Sequence, residues 1–107
     1  MSRSPAKGTL PVTSTKTDTE VRITLRGEFT FKIRQDFREA YCHHPGHMKY
    51  VVDMAGVTFM DSSAMGMLLV LREHAGGEKA HVRLINLTPK TANLLKLASL
   101  NDMFILE

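Results

Sequence analysis

The chain has 107 residues, 43% of them hydrophobic and 23% charged, with a formal net charge of +3. That length supports one domain with one modest core, and the composition excludes a disordered, fibrous or disulfide-built chain. The single cysteine, Cys42, cannot form an internal bridge and fits a reducing compartment.

No apolar run is long enough to cross a bilayer. The basic start, MSRSPAKG, lacks the apolar segment of a secretory signal, so a cytoplasmic location is expected. Residues 1–34 hold seven Lys or Arg against three acids. The excess is small and no aromatic residue is interleaved with it before Phe29. This predicts a solvated basic segment, with no direct nucleic-acid or membrane contact.

In chain order, residues 1–8 predict a flexible lead-in, with the folded domain spanning residues 9–107. Leu10 to Val12 predicts a short edge strand, because Pro11 cannot serve a central one, and Thr15 to Thr19 a turn. Glu20 to Arg26 alternates strictly, with Val21, Ile23 and Leu25 on one face, the mark of a half-buried strand. Gly27 to Thr30 breaks the alternation. From Phe31 the spacing turns helical, with Ile33, Phe37, Ala40 and Tyr41 on one face and Thr30 as N-cap. That helix stops ahead of His43-His44-Pro45-Gly46.

Lys49 to Met54 is nearly continuous in apolar residues and predicts a central strand covered on both faces. A short loop then leads to Asp61-Ser62-Ser63 and a helix running to about His74, stopped by Gly76-Gly77. His81 to Leu87 predicts a strand. Thr88-Pro89 announces another helix, a capping hydroxyl followed by Pro at the first helical position. Asn101 to Leu106 is open between a strand and a short helix. Strands alternating with helices predict an α/β fold, a mixed sheet of four to five strands packed with helices. Its functional edge would lie at the carboxyl ends of the strands, bringing Asp61-Ser62-Ser63 beside Gly27-Glu28-Phe29.

Asp61-Ser62-Ser63 sets two hydroxyls and a carboxylate at a helix start, where unpaired backbone N–H groups and the helix dipole favour negative charge. A phosphorylated serine there would switch a surface by about two units of charge. A nucleophile elbow needs Gly-x-Ser-x-Gly, which Met60-Asp61-Ser62-Ser63-Ala64 is not, so no enzyme activity is expected. Cys42, His43, His44 and His47 include zinc-type ligands, but adjacent ligands in one turn do not converge on one ion. They predict a solvated loop with no metal or other cofactor. Met54, Met60, Met65 and Met67 predict core packing, with one free to serve a pliable interface near Ser63.

Asp61-Ser62-Ser63-Ala64-Met65-Gly66-Met67-Leu68-Leu69 resembles the D-S-S/T-G-L-G-x-L-L signature of STAS domains, the fold of bacterial anti-sigma factor antagonists. Gly27-Glu28-Phe29 is similar to the family's G-E-L-D. The resemblance covers roughly Leu10 to Leu106. It departs at Ala64, where the family has Gly, and at Thr30, where it commonly has Asp. It implies a transcriptional switch in which a partner anti-sigma factor with serine kinase activity phosphorylates Ser63, with Ser62 as runner-up acceptor. The unphosphorylated form would bind the anti-sigma factor and free its sigma factor. A PP2C-type phosphatase would restore binding. The HAGG and GEFTF segments resemble a subgroup served by phosphatases linked to response regulators. The implied partner surface comprises Gly27, Glu28, Phe29, Thr30, Asp61, Ser62, Ser63 and Ala64, extending to Phe31 and to exposed positions of the following helix. Two other readings stay open on sequence: a non-switching scaffold subunit of a signalling complex, and a small-ligand-sensing module. Oligomeric state is likewise open.

Overall fold

Residues 10–107 are described by a computed structural model; the lead-in expected over residues 1–8 lies outside them. Five strands and three α-helices follow one another as β1 (Val12–Lys16), β2 (Glu20–Phe29), α1 (Arg34–Glu39), β3 (Lys49–Met60), α2 (Ser62–His74), β4 (Val82–Ile85), α3 (Pro89–Leu97) and β5 (Ile105–Leu106). The sheet runs in the order β1-β2-β3-β4-β5, with β1 antiparallel to β2 and every other pair parallel. This is the mixed α/β sheet expected from the alternation of strands and helices. Among the described residues no helix is long and apolar enough to cross a membrane.

One core lies between a single face of the sheet and the helices. Val21, Ile23 and Leu25 of β2, Tyr50 and Val52 of β3, and Leu84 of β4 meet Phe37 of α1, Leu68 and Leu71 of α2, and Leu95 of α3. The helical face expected from Ile33, Phe37, Ala40 and Tyr41 is buried. It begins with a 3-10 turn, Phe31–Ile33, capped by the Thr30 hydroxyl, which accepts from Lys32 N–H at 3.4 Å. Phe37 sits between Phe29 and Tyr41, with ring centroids 5.2 and 5.6 Å away.

The far face of the sheet is built differently. Val51 is fully buried yet stands apart from the core; its neighbours in register are Arg22 and Arg83. Long side chains beside a small one in register can lay their stems along it. Of the cover expected on both faces of β3, the helices supply one side; on the other, Val51 is buried between the paired Arg22 and Arg83. Each arginine is paired, Arg22 with Asp53 at 3.8 Å and Arg83 with Glu107. Asn86 also donates to Asp53 at 2.9 Å.

Several boundaries differ from expectation, the Thr15–Thr19 turn among them, since β1 takes Thr15 and Lys16, and α1 ends at Glu39, short of His43. The first strand is Val12–Lys16, where Leu10–Val12 was expected, because antiparallel pairing with β2 holds a polar segment that has no apolar pattern of its own. Gly27–Phe29 continues β2, where a break was expected, and β3 runs to Met60 with no loop before Asp61. The cause is shared. The pairing steps from Thr24↔Asp53 to Arg26↔Gly56, and from Gly27↔Val57 to Glu28↔Phe59, so β3 carries two extra residues. Such bulges erase the alternation of side chains without ending the strand. Gly27 takes φ +79, and a side chain at Gly56 would lie 2.8 Å from the Leu25 carbonyl oxygen; both positions need glycine.

Candidate functional site

The bulged ends of β2 and β3 bring Phe29 into register with Met60. The chain then turns at once into α2. Asp61 is the N-cap, in extended conformation, and its Oδ1 accepts from Ala64 N–H at 3.2 Å. The same oxygen accepts the Ser63 hydroxyl at 2.5 Å. That hydroxyl bond, with backbone N–H groups adding to it, holds the Asp61 carboxyl below its ordinary range. One carboxylate thus caps the helix and orients the Ser63 Oγ, while Ser62 points its side chain to solvent without a partner of this kind.

The geometry has a consequence for charge. A phosphoryl group on Ser63 Oγ would stand against the Asp61 carboxylate, so the two anions would compete for the same N–H groups of the first turn. The helix start can hold one of them; the other must face outward. A change of charge here is therefore presented at the surface and leaves the core of the domain intact.

The expected site residues divide by exposure. Gly27, Glu28, Asp61, Ser62 and Ser63 lie together at the carboxyl edge of the sheet and are exposed or half-buried. Phe29 and Ala64 are 0% exposed and Thr30 only 9%. These three face inward and cannot be partner-contacting side chains in this conformation. Phe29 stacks on Phe37, Ala64 lies under the first turn of α2 within the core, and Thr30 caps the turn before α1. Their part is to position the neighbours that do face outward.

The structure adds Phe59, Arg34 and Arg38 to the residues expected at this edge and joins the two arginines with Phe31 and exposed positions of α2. Phe59, at the end of β3, is exposed. A trough of about 430 Å³ runs between α1 and α2 from Ser63, along Gly66 and Met67, to Val70, with Phe31, Arg34 and Arg38 on the other side. Ser63, Gly66 and Val70 follow i, i+3, i+7 spacing, so a helical projection would have shown them on one face. The Cys42–His47 segment forms a turn held by its backbone. Tyr50 donates its hydroxyl to the Pro45 carbonyl at 2.8 Å, and the His74 ring contacts the His44 carbonyl oxygen at 2.7 Å. Among the described residues no group of three His, Cys, Asp or Glu forms a metal-ligand set.

The family model described as "Mlab, STAS domain" matches residues 12–107. The chain belongs to the STAS-domain family. A STAS-domain containing protein of Pseudomonas aeruginosa (strain UCBPP-PA14) is 43% identical over 86 residues, which are 79% of this chain and 85% of that protein. Among solved structures, the anti-sigma factor antagonist SpoIIAA in its unphosphorylated form superposes with a TM-score of 0.75 at 18% identity, covering 90% of this chain and 87% of that one. An anti-sigma factor antagonist from Mycobacterium paratuberculosis gives 0.74 at 19% identity, with coverage of 94% and 87%. At such identities the likeness is one of fold, and the STAS domain described above is the fold they share.

Proposed function

We propose that this STAS domain is an anti-sigma factor antagonist switched by phosphorylation of Ser63. In this reading the unphosphorylated form binds an anti-sigma factor with serine kinase activity and releases its sigma factor. Phosphate on Ser63 ends the binding, and a PP2C-type phosphatase, response-regulator-linked, restores it. The protein is then a cytoplasmic substrate of enzymes, with no cofactor and no chemistry of its own.

The observation that carries this reading is the Ser63 hydroxyl held by Asp61 at an accessible helix start, beside exposed Glu28 and Phe59 near the ends of β2 and β3. A phosphate there would place uncompensated charge within a protein contact, where it costs affinity strongly. SpoIIAA, whose fold this chain shares, is solved in both an unphosphorylated and a phosphorylated form, which supports a fold compatible with such a switch.

The test is phosphosite mapping of the protein from its native cell under several conditions, beside affinity capture with Ser63→Ala and Ser63→Glu. Phosphate is expected on Ser63. Ser63→Ala should hold the partner constitutively, and Ser63→Glu should weaken it by at least about tenfold. Phosphate found only on other residues, Ser62 included, would refute the assignment to Ser63.

A further inference from the structure

The trough between α1 and α2 is open to solvent and almost wholly apolar along its floor and walls, with Phe37 and Met67 at its base. Its two walls are large hydrophobic side chains left out of the core: Phe31 is 58% exposed and Val70 56%. Between them Gly66 stands in the middle of α2, where a glycine weakens a helix. A Cβ added there would meet nothing within 4 Å. No packing among the described residues requires the glycine, and its effect is to keep the trough deep.

The charges around the trough are sorted. Arg34 and Arg38, four residues apart, lie along it, with the Arg34 guanidinium 4.2 Å from the Phe31 ring centroid. The acids of α1 do not line the trough: Asp36 faces the β1 side, and Glu39 lies in a neighbouring cleft, which it shares with Arg34 and Arg38 but where it forms no ion pair with either. Among the described residues the two salt bridges are Arg22–Asp53 and Arg83–Glu107, so neither trough arginine has a carboxylate partner. An apolar channel flanked by two cations without an ion-pair partner, and lined by no carboxylate, matches an occupant that is apolar on one side and acidic on its flanks.

We propose that this trough docks an amphipathic helix of a partner protein, its apolar row lying between Phe31 and Val70 and its acidic residues facing Arg34 and Arg38. A channel between two packed helices accepts the i, i+3, i+4, i+7 ridge of a third. A second copy of this chain is disfavoured, because a two-fold contact through the trough would bring four arginines together with no carboxylate from either trough lining to pair them. A membrane surface is disfavoured by the concave shape, since interfacial binding needs an apolar face that protrudes into the headgroups. Ser63 lines the trough where α2 begins. The docking deepens the proposed function and rests on it in one respect: phosphate on Ser63 would repel the acidic occupant.

The test uses the full chain, labelled with nitrogen-15, and two synthetic helical peptides of about 18 residues. The peptides share one leucine stripe and carry either Glu or Lys on its flanks. The Glu peptide should shift the amides of α1 and the first half of α2 and bind about tenfold more tightly than the Lys peptide at low salt. The double variant Arg34→Glu/Arg38→Glu should reverse that order, and Gly66→Leu, with its fold checked by thermal unfolding, should abolish both. Ser63→Glu should weaken the Glu peptide alone.

Absent or scattered shifts, equal affinities, or an order unmoved by the arginine reversal would overturn the docking. So would binding of phosphatidylglycerol vesicles through the same residues with the Glu peptide silent, or concentration-dependent self-association through them. Should the Glu peptide behave as expected and Ser63→Glu leave it bound, the docking stands and the Ser63 switch fails. Phosphate mapped to Ser63 with no peptide binding sustains the switch and removes the docking.

Discussion

The two faces of this domain treat arginine in opposite ways. On the open face of the sheet, Arg22 and Arg83 flank Val51 and are each paired, with Asp53 and Glu107. They stand in register with a buried valine, and each has a carboxylate partner. On the helical face, Arg34 and Arg38 border an apolar trough and have no carboxylate partner among the described residues. The same residue type closes one surface and leaves the other unfinished. Groups whose interactions are complete within the chain contribute to folding; groups left incomplete beside exposed Phe31 and Val70 are available to something else.

The largest expected effect separates the floor of the trough from its walls. Phe37 is buried and touches both Phe29 and Tyr41, so Phe37→Ala should cost about 3–5 kcal/mol through lost burial and a cavity. Phe31 lies on the same stretch but is mostly exposed, and Phe31→Ala should change stability by less than about 1 kcal/mol, chiefly through its contact with Arg34. Urea unfolding of the two variants measures this directly. Equal losses would mean that Phe31 belongs to the core and that the helical face is as complete as the sheet face.

Gly66 gives the next largest effect, with the opposite sign. Replacing it with Ala puts a methyl group into open space and improves helix propensity by about 1 kcal/mol. Thermal unfolding should then rise by roughly 5 °C for a domain of this size. A lowered midpoint would show that the space over Gly66 is closed in solution, and the trough would lose its depth.

Much of this was legible in the sequence where the determining interaction is local. Thr88-Pro89 and Asp61-Ser62-Ser63 mark helix starts because capping is an affair of three or four neighbouring residues. The parallel order followed from alternating element types. The extension of β3 was hidden because Ala55 and Thr58 enter as extra residues opposite β2, a feature of pairing that no single strand records. Of the candidate site, the Asp61–Ser63 edge and its nearness to Gly27 were readable. The inward direction of Phe29, Thr30 and Ala64 was not, since it depends on the packing of α1 and α2 over the sheet. The trough required that same packing, and only the spacing of Ser63, Gly66 and Val70 hinted at it.

The smallest expected effect probes the completed face through acid. Burial pushes the Asp53 carboxyl upward, but the Asn86 amide, the Ala55 N–H and the Arg22 guanidinium together bring it below its ordinary value of 3.8. A carboxyl with a depressed folded-state pKa stabilises the fold fully above its unfolded value, and the contribution disappears as pH falls through the folded value. Wild type should therefore lose this contribution only below about pH 4. Asp53→Asn should be less stable than wild type near neutrality, and the gap should close as the solution is acidified past that point. Urea midpoints measured from pH 7 to about pH 2.5 give the curve. A gap of constant size across the whole range would mean that the carboxylate's charge contributes nothing. The Arg22–Asp53 pair would then be no more complete, energetically, than Arg34 and Arg38 standing alone.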